Sequence, residues 1–523
     1  MTTITCYGAV GKIGGNKILL EDGDARWFFD FGIDFDACGK FYNELLRPRP
    51  ARGLLDPLVL GLIPPLEGLY RRDLELPAVW TRLRGRKGHR NLKRSGGPAV
   101  DAVLVSHAHL DHNGDISYLD ETIPVVSTRS GAAIARAMQV TGAASLEREM
   151  VYASPRVDKG GILSSGEEHC LRPFQFLEGP LAGEALDFWT EAGGSCRKGM
   201  KAAAAEEFPG SVAGRTVRAW PVDHSIPGAV GYAVETSSGW VGYTGDIRFH
   251  GRRGATTRAF AEGLSALRPR ALLCEGTHLE PSGGSRVTEY QILPRVVPIL
   301  KRYAGKLAIA DFGPRNVERL QVFLDAARET GRLLLLQPKD AYLLRALHWV
   351  EPECFPAPDS GPNVGLFDDP KARPRLWETE TRQSWRAPIV RAENVSETPG
   401  DFILADSLWD LNDLPDLEGI TGGVYLFSNS RAYDDEQKAD LERLRNWVRW
   451  LRLDLIGDPD DSSSVCLHAS GHACGDELAD FVRTVNPEIL IPIHTEHPEW
   501  WGDVLRGSGI HLRLPELGKK IEI

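Results

Sequence analysis

Residues 107 to 112 read His-Ala-His-Leu-Asp-His, a string of imidazoles around one carboxylate. Packing does not account for it. A buried carboxylate needs a charge partner, and imidazole with carboxylate is a donor set that zinc accepts, at roughly 2.0–2.2 Å. Two later segments offer the same chemistry: Asp223-His224-Ser225 adds an imidazole, and Tyr243-Thr244-Gly245-Asp246 adds a carboxylate. A carboxylate has two oxygens with several lone pairs, so Asp246 suits a position between two ions. In this order, the residues predict a binuclear metal centre.

Each of these groups sits where a strand should end. The apolar run Val103-Leu104-Val105-Ser106 leads into the first motif, and Asn113-Gly114-Asp115 interrupts the chain before Ile116, Tyr118 and Leu119. Strands are predicted over 216–221, 229–235 and 240–244, with Ser237-Ser238-Gly239 as the hairpin turn between the last two. Arg26 to Phe31 reads as a strand closed by Asp30-Phe31-Gly32. Ile123 to Ser127 reads as another, followed by a helix through Ala132, Ile134, Ala135 and Met138. Residues 195–210 look like a polar, alanine-rich excursion. Ligands on loops held by such strands can be aimed rigidly into one cleft.

A chain of 523 residues should hold two or three compact units, and 42% apolar content supplies a large core. No apolar run reaches the ~20 residues of a membrane helix, and Pro57, Pro64 and Pro65 break the stretch from Leu54 to Leu69. With no basic-then-apolar leader at the N-terminus, a soluble cytoplasmic protein is expected. The eight cysteines include no Cys-x-x-Cys pair, which argues against a zinc ribbon and a disulfide framework. The formal charge of −11 excludes a broadly basic polyanion binder. A local patch remains, through Arg71, Arg72, Arg82, Arg84, Arg86, Lys87, Arg90, Lys93 and Arg94. Its alternatives are a solvated insertion or salt bridges to the acidic remainder.

His107, His109, Asp111 and His112, then His224, then Asp246 resemble the ligand pattern of the metallo-β-lactamase superfamily. Val222-Asp223-His224-Ser225-Ile226-Pro227 and Tyr243-Thr244-Gly245-Asp246 look like segments of RNase J-type enzymes, in the β-CASP branch. Gly11-Lys12-Ile13-Gly14-Gly15-Asn16 and Asp30-Phe31-Gly32 are similar to the first strands of that group. Three further segments resemble the motifs that separate β-CASP nucleases from small-molecule hydrolases: Leu273-Cys274-Glu275-Gly276-Thr277, His468-Ala469-Ser470-Gly471-His472-Ala473 and Ile491-Pro492-Ile493-His494-Thr495-Glu496. The likeness runs nearly end to end.

The resemblance implies an α/β fold, a metallo-β-lactamase αββα sandwich with an inserted α/β β-CASP domain. Its parts are residues 1–280 and 464–523 for the sandwich and 281–463 for the insertion. Within the insertion, strands are expected at 306–311, 332–337 and 424–427. Helices are expected through Val317, Leu320, Val322, Phe323 and Ala326 and from Asp434 through Trp450, with loop over 351–375. The resemblance also implies two Zn2+ ions, with Mn2+ as the alternative. One is held by His107, His109 and His224, the other by Asp111, His112 and His494, and Asp246 is shared. Asp111, Glu275 and His472 are the implied catalytic residues, His472 being a general acid oriented by Glu275. His468 and Ser470 are implied phosphate contacts, with a structural hydrogen bond as the other reading of His468.

The activity so implied is hydrolysis of phosphodiester bonds in single-stranded RNA, exonucleolytic from the 5′ end or endonucleolytic, by a hydroxide activated by two metals. A DNA-directed β-CASP nuclease, a catalytically weak RNA-processing scaffold and a small-ester hydrolase are the alternatives. Three departures from the RNase J pattern stand out. Only residues 495–523 follow His494, which leaves the oligomeric state open. Thr495 replaces the usual glycine, and His497-Pro498-Glu499-Trp500-Trp501 follows, a segment that either stacks a base or packs into the core. The insertion from Asp36 to Gly97 is long enough to cover a cleft.

Overall fold

Two of the three large sheets bring the predicted ligands to a common edge. The computed structural model describes residues 1–43, 45–166, 168–191, 199–279, 287–432 and 435–523. The first sheet runs Ala205–Glu207, Phe174–Phe176, Val125–Ser127, Ala102–Leu104, Ala25–Phe31, Lys17–Asp22, Thr2–Cys6 and Lys520–Glu522. The second runs Ser211–Val212, Arg215–Pro221, Val230–Thr236, Gly239–Tyr243, Ala271–Cys274, Ile489–Pro492 and His511–Leu512.

Successive side chains of a strand point to opposite faces, and here both faces are apolar. Ile4, Leu20, Trp27, Phe29 and Leu104 of the first sheet meet Val217, Tyr232, Val241, Tyr243, Leu273 and Ile491 of the second in one buried core. The alternating partners Leu19, Phe28 and Val103 point outward to the helix Arg129–Thr141. On the far side, Ala233, Leu272 and Leu490 meet the helices Gly254–Ala266 and Gly475–Val485. Two sheets back to back, each covered by helices, give an αββα sandwich.

The third sheet is parallel throughout, in the order Ile389–Val390, Val364–Phe367, Leu333–Leu336, Phe402–Ala405, Leu307–Asp311, Gly423–Phe427 and Leu453–Ile456. Its strands read as continuous apolar runs because helices cover both faces. Tyr342, Leu343, Ala346 and Leu347 of the helix Pro338–Val350 share a core with the helix Arg129–Thr141, which docks this sheet on the sandwich. A buried ion pair reinforces the junction: Arg319 holds Glu289 at 2.7 Å and donates to the Leu467 carbonyl at 3.0 Å.

Two expectations need correction. The loop expected over 351–375 contains the fully buried strand Val364–Phe367, too short a run to show among its prolines and aspartates. The excursion at 195–210 contributes an edge strand, Ala205–Glu207, to the first sheet, while residues 195–198 lie outside the described residues. The helix expected from Asp434 spans Asp435–Trp450, Asp434 itself lying outside the described residues.

Within the basic stretch, salt bridges account for much of the charge. Arg71 is buried and pairs with Asp73 and Glu149, each at 2.7 Å. Arg84 and Lys93 converge on Glu67 at 2.6 and 2.8 Å, Arg90 reaches Glu21 at 2.9 Å and Arg94 reaches Asp101 at 2.6 Å. Leu54, Leu58, Leu66, Leu74 and Trp80 bury this insertion in the outer layer of the first sheet.

Candidate metal centre

The ligand loops leave the carboxyl ends of neighbouring strands. His107 and His109 follow Ala102–Leu104, and His109 begins the short helix Leu110–Asn113 that carries Asp111 and His112. His224 follows Arg215–Pro221, Asp246 follows Gly239–Tyr243, Glu275 follows Ala271–Cys274 and His494 follows Ile489–Pro492. Close backbone contact fixes the first of these loops. Asp111 O accepts from Asn16 N at 2.9 Å, and a Cβ on Gly32 would lie 1.8 Å from that same oxygen, so only glycine fits there.

All seven predicted ligands come together. His107 Nε2 and His224 Nε2 lie 3.0 and 3.1 Å from His109 Nδ1. His107 Nε2 and His224 Nε2 also lie 3.6 and 3.8 Å from Asp246 Oδ2. On the other side, Asp111 Oδ2 stands 3.6 Å from His112 Nε2 and 3.5 Å from His494 Nε2. Asp246 Oδ2 is 3.2 Å from His112 Nε2, so one carboxylate faces both groups. His107, His112, His224, His494 and Asp246 are buried, while the Asp111 side chain keeps 22% of its exposure.

The outer nitrogens of these rings are already occupied. His112 Nδ1 meets Asp30 Oδ2 at 2.7 Å, His224 Nδ1 donates to the Gly471 carbonyl at 2.6 Å, and His494 Nδ1 meets Asp246 Oδ1 at 2.9 Å. That leaves their Nε2 atoms turned inward, and the Nε2 atoms of His112 and His494 are buried with no hydrogen bond. Orphaned buried nitrogens are costly, and several of them converging with two carboxylates suit a cation. The residues present therefore fit a metal, and this is a metal-binding arrangement.

Electrostatics divide the cluster. Burial and neighbouring imidazoles hold His107 and His109 well below the usual histidine range, and burial lowers His224 to about 3. These rings stay neutral, the form that ligates. Burial opposes charge on His112 and His494 too, but Asp246, with Asp111 and other carboxylate contacts, overrides it, raising His112 well above the usual range and His494 to about 10.

Beside the cluster stands the Glu275–His472 pair. His472 Nδ1 lies 3.1 Å from Glu275 Oε2 and 3.9 Å from Asp246 Oδ2. Glu275 is fully buried and also accepts from Ile247 N at 2.6 Å and Thr277 Oγ1 at 2.7 Å. Against burial, Glu275 and Asp246 raise the His472 pKa above its ordinary value.

His468 and Ser470 stand apart from the ligand cluster. Ser470 Oγ accepts from His472 N at 3.0 Å and lies 3.1 Å from His278 Nε2, and His468 Nδ1 sits 3.4 Å from the Ser428 carbonyl. Trp501 is fully buried against the helix Gly475–Val485, so the tryptophan segment packs rather than offering Trp501 to a base.

Asp30 is the residue whose role the sequence did not disclose. Beyond His112, its carboxylate accepts from Ser106 N at 2.6 Å, from Ser106 Oγ at 2.7 Å and from the Tyr243 hydroxyl. A carboxylate closing a buried apolar strand was the visible signal. A cavity of about 710 Å³ adjoins His224, lined by Ile226 and Pro227 of the sandwich and by Val317 and Phe355 from the region of the third sheet.

Two family models match the chain: "Metallo-beta-lactamase superfamily" over residues 79–159 and "Zn-dependent metallo-hydrolase RNA specificity domain" over residues 465–500. The chain is similar to Ribonuclease J of Sinorhizobium meliloti, 27% identical over 54% of this chain and 46% of that protein. It is also similar to Ribonuclease J of Mycoplasma pneumoniae, 21% identical over 95% of this chain and 68% of that protein. For Ribonuclease J of Corynebacterium glutamicum the identity is 23%, over 94% and 53%. The chain thus spans about half the length of two of these relatives. A crystal structure of a protein of unknown function from Enterococcus faecalis V583 shares the fold, with a TM-score of 0.65, 20% identity and 99% coverage of both chains.

Proposed function

We propose that this chain, an RNase J-like metallo-β-lactamase of the β-CASP branch, hydrolyses phosphodiester bonds of single-stranded RNA. The observation that carries this reading is the Glu275–His472 pair set against the metal ligands, with His472 inside the segment matched to an RNA specificity domain. A thioester hydrolase, whose thiolate leaves unprotonated, has no need of an added imidazole acid beside its metals. An alkoxide leaving from phosphorus does.

In this account two zinc or manganese ions would be held by His107, His109 and His224 and by Asp111, His112 and His494, with Asp246 between them. Such ions supply Lewis acidity toward phosphoryl oxygens and make water a nucleophile at neutral pH. The remaining chemistry belongs to the protein. Glu275 takes the Nδ1 side of His472, fixing the tautomer and sustaining the protonated ring, so that Nε2 is free to protonate the leaving 3′-oxygen. Asp30 and Gly471 hold His112 and His224 in orientation, which keeps the ligand set rigid between turnovers. His468 and Ser470 are assigned to phosphate contacts near the domain junction. The sandwich is taken as 1–280 with 464–523, and the inserted domain as 281–463. Free cysteines such as Cys6 and Cys274 suit a reducing compartment, and we place the protein in the cytoplasm.

The test is a time course on 5′-labelled single-stranded RNA beside matched single-stranded DNA, with Asp111→Ala as control. RNA should be consumed by the wild type alone. Cleavage of DNA without cleavage of RNA would overturn the substrate assignment.

A further inference from the structure

The sequence pointed to residues 71–94 for polyanion contact, and the structure places much of that charge on carboxylates. Two other arginines, Arg148 and Arg375, far apart in sequence, make no ion pair with a carboxylate among the described residues. They gather at the end of the helix Arg129–Thr141, where the sandwich meets the third sheet's helices. Arg375 Nη1 donates to the carbonyls of Gly142 at 2.6 Å and Thr141 at 3.3 Å. Arg148 approaches the same glycine from another side: a Cβ on Gly142 would lie 2.0 Å from Arg148 Nη1. The guanidinium of Arg148 makes no hydrogen bond or ion pair among the described residues; burial and the like charges of Arg47 and Arg375 lower its pKa, against the opposite charge of Glu147.

Helix stability does not explain both residues. Arg375 precedes the helix Leu376–Ser384, whose positive end disfavours a cation, although it does satisfy the last carbonyls of the helix Arg129–Thr141. Arg148 satisfies nothing. Both line a cavity of about 550 Å³ together with Gln139, Ser154 and His169. Arg156 and Glu149 line it too, but Glu149 is already paired with Arg71 and Arg156, each at 2.7 Å, so positive charge is in excess around the cavity. Such a cavity suits an anion, and the planar guanidinium matches phosphate oxygens in pairs.

This site is connected to the metal centre. Gly142 N donates to Met138 O, one helical turn back, and Met138 Sδ lies 3.6 Å from Arg315 Nη1. Arg315 in turn faces Asp111 and His109 electrostatically. A line of cations thus runs from the metal ligands, through Arg315, to the Arg148–Arg375 cavity.

We infer that Arg148 and Arg375 bind a backbone phosphate of the RNA strand outside the catalytic centre, with Arg315 between the two sites. This rests on the proposed ribonuclease reading. The experiment is a salt series of RNA binding, using a fluorescent single-stranded oligonucleotide and the metal-loaded full chain, for wild type, Arg148→Gln, Arg148→Gln/Arg375→Gln and the double lysine variant. Each lost phosphate contact should reduce the slope of log K against log salt by about 0.7. With one phosphate shared by the two arginines, the expected reduction is about 0.7 for the double glutamine variant and a part of that for the single variant, while the lysine variant retains most of the slope. Turnover of bis(p-nitrophenyl) phosphate, too short to reach the cavity, should be unchanged in all.

An unchanged slope overturns this site alone. Equal loss of bis(p-nitrophenyl) phosphate turnover overturns it in favour of a structural role for these arginines. Inorganic phosphate that displaces RNA from wild type but not from the double variant, at constant ionic strength, overturns it in favour of a small-anion site. A wild type that binds no RNA overturns the ribonuclease reading as well.

Discussion

Asp30→Asn isolates the outermost layer of the metal site. Asp30 has a left-handed backbone, φ 55°, which asparagine tolerates and most other residues do not. The substitution therefore keeps shape and backbone while removing the charge. Asp30 holds His112 Nδ1 at 2.7 Å and accepts from Ser106 N, Ser106 Oγ and the Tyr243 hydroxyl. An amide presents one acceptor oxygen and one donor nitrogen, so at least one of these groups loses its partner. Hydrogen bonds to a charged group contribute about 1.5–3 kcal/mol each. Loss of an orienting carboxylate behind a metal-ligating histidine typically costs 10–100-fold in affinity, or about 1.4–2.8 kcal/mol. The assay is zinc binding to chelator-stripped protein against a competing chromophoric chelator, with circular dichroism to confirm folding. Zinc affinity should fall 10–100-fold while the spectrum stays native. Wild-type affinity in a folded Asp30→Asn protein would refute the claim that this carboxylate positions His112.

Other outcomes follow from the same geometry. His472→Gln should lower RNA hydrolysis by about 10²–10⁴-fold, the usual contribution of a general acid, with a smaller loss on p-nitrophenyl esters whose leaving group needs no proton. Glu275→Gln removes the carboxylate that raises His472, so the alkaline limb of the pH–rate profile should move to lower pH; a limb that stays in place contradicts the pairing. Arg319→Met leaves the buried Glu289 with only the more distant Arg248, at 3.7 Å, and should cost up to about 3–5 kcal/mol in urea unfolding. Against burial, Arg319 and Arg248 lower the Glu289 pKa, so this pair contributes stability above the ordinary glutamate range and loses it as pH falls through the folded-state value. Wild type should therefore lose more stability than Arg319→Met on acidification below about pH 4. Chelation should lower the melting temperature, since an ion at 1,000 times its Kd stabilises by about 4 kcal/mol.

What the sequence disclosed was set by how local the signal is. His107 to His112 announce themselves because six adjacent residues carry the chemistry, and strand-end positions for His224 and Asp246 follow from apolar runs. The sandwich strands were legible in large part because alternation and turn residues are local too: the hairpin over 230–243 falls within a residue of its expected bounds. The strand Val364–Phe367 was not, because a buried parallel strand needs only four apolar residues and shows no period. Asp30 was visible as a strand end, but its bond to His112 spans 82 residues and no pattern encodes it. The Arg148–Arg375 cavity was invisible for the same reason, while the arginine-rich stretch that drew attention has carboxylate partners, some nearby in sequence such as Asp73, Glu67 and Asp101 and others far from it such as Glu21 and Glu149.

The most direct measurement is the rate of RNA hydrolysis as zinc or manganese is returned to chelator-stripped protein. The rate should be absent without metal and rise to a plateau at two ions per chain. Asp246→Asn should fail to recover at any ratio. Full hydrolysis by the stripped protein, or a plateau that Asp246→Asn also reaches, would contradict the account.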